Sequence, residues 1–337
     1  MSPQMRVTFV LVVLGLLATA VQASSCLYAY DYNGNFIEFD LTTTTTNSTG
    51  KTVATGSFPH AFAFAVAFSP VHGLGTVSGG RSNDYRSFTT MSLTNGSVVY
   101  SPTRVSISGP YGVAADLRPD QPYRLYGMEF LTPPGKTPFY RPAEFSPQTG
   151  EVISYFVPED FKPNGGDPSC SFNSLARFGV KFSLPTSSYI TSWTCANVST
   201  LVSINVDTHA VSETVVKLPE GSFFYNLVTH PITGQSFISN RAGNVVYAIE
   251  ADGSLSTIIS VPNSGNVILD LVPTMDSICI PRPQDTRYGR NHPQGTDLVC
   301  AKVTEPGTEL YNIPFVDSDE VVYLSGATPA PACLSTF

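Results

Sequence analysis

The chain has 337 residues, a formal net charge of −8 and only 13% charged against 42% apolar residues. That balance offers no basic face for nucleic acid, and the scattered charges read as a solubility feature. With 26 glycines and 27 prolines, the composition suits an extracellular β-protein full of turns.

Residues 1–23 read as a secretory leader. Arg6 supplies the positive n-region, Val7 to Leu17 the apolar h-region, and Val21-Gln22-Ala23 a small-residue cleavage pattern ahead of Ser24. The apolar stretch falls short of the ~20 residues that a membrane span requires, and no later run approaches that length. The end of the chain lacks a hydrophobic tail for exchange with a lipid anchor. Residues 24–337 are therefore expected to be one secreted, soluble, monomeric domain.

Downstream the text is strand and turn, with no helical period. Leu27 to Asp31, Phe36 to Leu41 and Lys51 to Gly56 open the series. An apolar run climbing to a proline then recurs about every forty to fifty residues: at Pro70, Pro119, Pro185, Pro231, Pro273 and, more loosely, Pro329. A short polar turn follows each proline, then further strands and a tight hairpin such as Asn95-Gly96 or Asp252-Gly253. Five complete units of four strands span roughly 58–107, 108–160, 170–218, 221–262 and 264–316. Glu320 to Ala327 supplies a first strand, to which the three N-terminal strands add the second, third and fourth.

A repeat of this length in an all-strand chain marks a radial or solenoid array. Residues 24–337 thus resemble the β-propeller superfamily, by periodicity rather than by a signature motif. The expected fold is an all-β, six-bladed β-propeller of four-stranded antiparallel blades, with the last blade closed by both termini. Seven blades would follow if residues 120–170 held extra strands; a pair of β-sandwiches is the structural alternative.

Six cysteines remain after the leader, an even count that favours disulfides in an exported chain. Closure of the last blade predicts Cys26–Cys333, within the ~6 Å Cα separation a disulfide needs. Local spacing pairs Cys170, ahead of one first strand, with Cys195, and pairs Cys279 with Cys300 on consecutive strands. The Asn-x-Ser/Thr sequons at Asn47, Asn95 and Asn197 sit in polar stretches that can carry glycans.

Enzyme signatures are missing. Gly50-Lys51-Thr52 and Gly135-Lys136-Thr137 lack the earlier glycine of a phosphate loop. Asp31 to Asn35 lacks the spacing of a calcium loop. His230, beside Pro231, reads as a turn histidine. Counting back three residues from each proline puts Asp116 and Asp270 at matching positions on first strands of opposite blades. Two such carboxylates, with carbonyl oxygens from Asn226 and Asn266, would suit calcium in a central channel; the simpler role is bonding exposed backbone at its mouth. Two functions stay open: an extracellular module recognising a protein or glycan, and a calcium-dependent hydrolase resembling lactonase and esterase propellers.

Overall fold

The computed structural model describes residues 26–31, 36–40, 50–54, 63–82, 85–101, 111–135, 139–161, 170–172, 187–195, 198–214, 224–230, 233–240, 244–250, 252–261, 271–274, 276–283, 296–303, 311–315 and 324–329. The leader lies outside them, as do Asn47, Asn197, Asp270, Asn266 and Cys333.

In chain order, β1 (Cys26–Asp31), β2 (Phe36–Asp40) and β3 (Gly50–Ala54) come first. A second sheet holds β4 (Ala63–Ser69), β5 (Leu74–Ser82), β6 (Tyr85–Ser92) and β7 (Val98–Tyr100). A third holds β8 (Tyr111–Ala115), β9 (Leu125–Leu131), β10 (Phe139–Phe145) and β11 (Val152–Tyr155). The fourth comprises β12 (Cys170–Phe172), β13 (Ser188–Cys195), β14 (Val198–Asn205) and β15 (Val211–Thr214). The fifth comprises β16 (Phe224–Thr229), β17 (Ser236–Asn240), β18 (Val245–Ile249) and β19 (Leu255–Ser260). The sixth contains β20 (Val272–Pro273), β21 (Ser277–Pro283), β22 (Thr296–Lys302) and β23 (Tyr311–Phe315). Last, β24 (Leu324–Pro329) pairs antiparallel with β1, with Leu27 opposite Pro329.

The described strands thus form six four-stranded antiparallel sheets, each in simple up-and-down order. First strands lie side by side: β24 against β4, β4 against β8, β16 against β20 and β20 against β24. This is the inner ring of a β-propeller.

Each sheet is packed between two others, and the third shows how a middle strand buries both faces. In β9, Leu125, Tyr126 and Met128 are all fully buried. Tyr126 and Met128 join Phe172, Tyr189, Trp193 and Val202 in a core against the fourth sheet, while Leu125 joins Phe88, Val113 and Phe145 against the second. Alternation along the strand therefore chooses a neighbouring sheet rather than core or solvent. Comparable seams join the fourth and fifth sheets through Leu201, Leu227 and Ile238, and the fifth and sixth through Phe237, Ile259 and Ile280.

Two disulfides tie paired strands together. Cys170 lies opposite Cys195 and bonds to it, and Cys279 lies opposite Cys300 and bonds to it. One expectation needs correction. Cys170 is within the first strand of the fourth sheet rather than ahead of it, so the register of β12 against β13 starts at the cystine. The run from Lys181 to Pro185, expected as that strand, lies outside the described residues. Residues 125–155 add no extra sheet: their three strands complete the third one.

Candidate functional site

Asp116 follows the last residue of β8, where its backbone N–H still bonds the Arg124 carbonyl at 2.9 Å. Its side chain is fully buried. Oδ1 accepts from the Arg118 backbone N–H and Nε, both at 3.0 Å. Oδ2 accepts from Arg118 Nη2 and from the Tyr126 hydroxyl, both at 2.7 Å. A carboxylate has about four lone-pair positions, and protein donors occupy them all. Burial alone would raise the Asp116 carboxyl pKa; the Arg118 and Tyr126 hydrogen bonds and the Arg118 charge outweigh it and hold the group below the usual carboxylate range. In turn, the hydrogen bond to Asp116 raises the Arg118 pKa further, and burial followed by the Asp116 contact raises that of Tyr126.

Arg118 also leaves its own sheet. Nη1 donates to Asp207 Oδ2 at 2.6 Å and Nη2 to Asp207 Oδ1 at 3.2 Å, in the β14–β15 hairpin of the next sheet. On the other side, Ser69 at the end of β4 donates to the Asp116 carbonyl at 2.9 Å. His72 joins the same seam: Nδ1 lies 2.7 Å from Ser69 Oγ, and Nε2 lies 2.8 Å from the Gln121 carbonyl. Residues around one turn therefore connect three consecutive sheets.

His230 stands at the matching place in the fifth sheet, where its N–H bonds the Gln235 carbonyl at 2.8 Å. The ring is buried; Nδ1 accepts from the Thr233 N–H at 3.2 Å, so Nε2 carries the proton, and Nε2 has no partner among the described residues. Burial pushes its pKa down to about 4, against the opposing pull of the Thr274 backbone and the Asp276 carboxylate in the sixth sheet.

Another buried acidic side chain lies at the opposite end of the third sheet. Glu129 Oε2 accepts from the Tyr155 hydroxyl at 2.5 Å. Arg141 stacks over the Tyr155 ring at 3.7 Å and donates from Nε to the Val157 carbonyl at 2.8 Å. Burial, then the Glu129 hydrogen bond, pushes the Tyr155 pKa up to about 12.

Of the expected calcium set, Asp116 and Asn226 fall within the described residues. Asp116 is bound by an arginine and a tyrosine, Asn226 sits on β16, and Asp270 and Asn266 lie outside the described part. The described residues contain no group of three or more His, Cys, Asp or Glu side chains placed to hold a metal. Proline counting missed the Arg118–Asp207 link, because it connects residues far apart in sequence. Its local half was visible as Asp116-Leu117-Arg118 ahead of Pro119.

Turn direction defines a more accessible surface. In four-stranded up-and-down sheets, the connections between strands one and two and between strands three and four emerge on the same side. That side presents Asp120, Glu151, Asp207 and Asp252, all exposed. Of the described cations in the β8–β9 turn, Arg118 is engaged by Asp116 and Asp207, and Arg124 lies 3.7 Å from Glu144.

No protein-family model and no curated protein matches the chain. Solved structures do. A nidogen/laminin complex contains a chain 11% identical with TM-score 0.54, the alignment covering 91% of this chain and 98% of that one. TolB from Acinetobacter baumannii is 10% identical with TM-score 0.53, covering 90% and 67% respectively. A protein from Lactobacillus plantarum is 13% identical with TM-score 0.50, covering 90% and 98%. Such low identities speak for the fold alone. Among the described residues no helix is long and apolar enough to cross a membrane, and the two disulfides fit an oxidising compartment.

Proposed function

We propose that this chain is an extracellular recognition module that binds a protein through the acidic side of its propeller. In this reading the leader, residues 1–23, is removed, and residues 24–337 form a closed six-bladed wheel. Its final blade is shared by both termini and secured by Cys26–Cys333. The pairing of Leu27 with Pro329 supports that closure, since it brings the approaches to both cysteines into adjacent strands.

The observation that carries the binding reading is the exposed set Asp120, Glu151 and Asp252 on two sheets, with Asp207 of a third beside them and paired to Arg118. Carboxylates spread this widely suit a basic stretch of partner surface better than a single cation, and such charge steers encounter. The propeller in the nidogen/laminin complex belongs to a protein bound to another protein, a parallel of architecture.

Extracellular proteins displayed on a surface and probed with the wild-type chain and an Asp120→Lys, Asp252→Lys variant test this. The expected partner binds the wild type, loses affinity as salt rises, and is lost by the variant. Ligands that bind both chains equally, or that are neutral glycans, would overturn the acidic-face reading. Calcium-dependent turnover of esters or lactones would move the assignment to the hydrolase.

A further inference from the structure

We propose that Asn95 carries an N-linked glycan that covers the outer edge of the second sheet. Asn95-Gly96-Ser97 forms the sequon in the β6–β7 hairpin. Gly96, with φ +69°, takes the left-handed position, and its N–H is held by the Ser92 carbonyl at 2.8 Å. Asn95 is exposed; its Oδ1 accepts from the Ser97 N–H at 3.0 Å, and no described residue engages Nδ2. That nitrogen is the group that reacts. Nδ2 attacks the anomeric carbon of a lipid-diphosphate-linked oligosaccharide, the export-route donor. The C–N bond forms as the carbon–oxygen bond to the diphosphate breaks, the lipid diphosphate departs, and a base takes one amide proton.

The adjoining strand gives the glycan a physical role. β7 is the outermost strand of its sheet and pairs with β6 alone. Val98 and Val99 on it are 48% and 42% exposed. An open apolar edge invites pairing with another chain. Other outer strands carry or adjoin polar groups or a proline: β3 carries Lys51, β15 Glu213 and β23 Pro314, and β19 exposes Thr257 and Ser260, while β11, directly after Glu151, exposes Ile153 at 60%. β7 exposes two adjacent valines and has no charge or proline within it or directly beside it. A branched, hydrated sugar three residues before Val98 supplies the missing guard.

The assignment rests on the export proposed above, and the test separates the two. The full chain is expressed in a secreting eukaryotic cell, and glycopeptides from medium and cells are analysed by mass spectrometry. Secreted protein with a sugar on Asn95 is expected. Secreted protein bare at Asn95 overturns the assignment and leaves export standing; chain retained in the cytosol with its leader overturns export and the glycan together. Light scattering then examines the covering role. Asn95→Gln is expected to associate on concentration, and Asn95→Gln with Val98→Lys and Val99→Lys to return to the glycosylated wild type's size. Should Asn95→Gln fail to leave the cell, enzymatically deglycosylated wild type takes its place. Deglycosylated or Asn95→Gln protein that stays the size of the wild type overturns the covering role.

Discussion

Arg118 and Asp207 meet at 2.6 Å across the seam between two neighbouring sheets, although 89 residues separate them in sequence. The contact matters because Arg118 is simultaneously the main partner of the buried Asp116, so one guanidinium joins a buried carboxylate to an exposed one.

Stability should therefore respond very differently to the two aspartates. Asp116→Ala leaves a largely buried guanidinium without its inner partner, and should cost about 3–5 kcal/mol. Asp207, with its side chain 46% exposed, should cost less than about 1 kcal/mol on replacement by alanine. Urea unfolding of both variants measures the difference; equal losses would refute the arrangement. If Asp116→Ala does not fold, an Asp116→Leu, Arg118→Met variant should recover structure, because it removes both charges together.

Calcium should not bind through Asp116, so any calcium-dependent rise in melting temperature should survive Asp116→Asn. A ligand that binds the folded state must raise it, and Asp116 has no lone pair left to offer. A calcium-dependent rise that vanishes in Asp116→Asn would return this residue to the role of a metal ligand.

Acid should loosen the seam between the fifth and sixth sheets. An unperturbed histidine titrates near 6.5, whereas folded His230 titrates at about 4. Between those values the unfolded chain holds more protons, so this contribution is complete above pH 6.5 and is lost as the pH falls toward 4. The shift corresponds to about 3 kcal/mol. Chemical unfolding from pH 7 to pH 4 should show that loss in the wild type and a flatter profile in His230→Gln.

The β14–β15 hairpin supplies a backbone test. His209 has φ +59°, the position that Gly96 and Gly150 fill in the corresponding hairpins of the preceding sheets. Its ring packs edge-on against Phe156, with centroids 5.4 Å apart. His209→Gly relieves the backbone and loses the ring contact, so thermal unfolding should move by less than about 1 kcal/mol. His209→Val keeps the strain and loses the contact, and should be worse than the glycine variant by about 2 kcal/mol.

The strand layout was legible because turns punctuate it. Asn-Gly and Asp-Gly hairpins and the prolines mark where strands end, and the paired cysteines Cys170/Cys195 and Cys279/Cys300 follow from neighbouring strands. The site was less legible for a specific reason. Counting from the proline sets Asp116 level with Ala67, whereas backbone pairing sets it level with Ser69 and His230: Ser69 faces Leu74, Asp116 meets Arg124 and His230 meets Gln235. The turn after Asp116 is longer than that after Ser69, and a two-residue offset changes what a side chain meets. No count along one strand could reveal that Arg118 would reach Asp116 first.

Pairing of β24 with β1 has a consequence for synthesis. Translation delivers β1 long before β24, so the earlier strand waits with one flank uncovered while five other sheets emerge. Those sheets can stack as they form, but the first one gains its fourth strand only once β24 clears the exit tunnel. Truncation ahead of β24 should therefore leave a three-stranded sheet with an open flank, prone to capture by chaperones, rather than a slightly smaller version of the same particle.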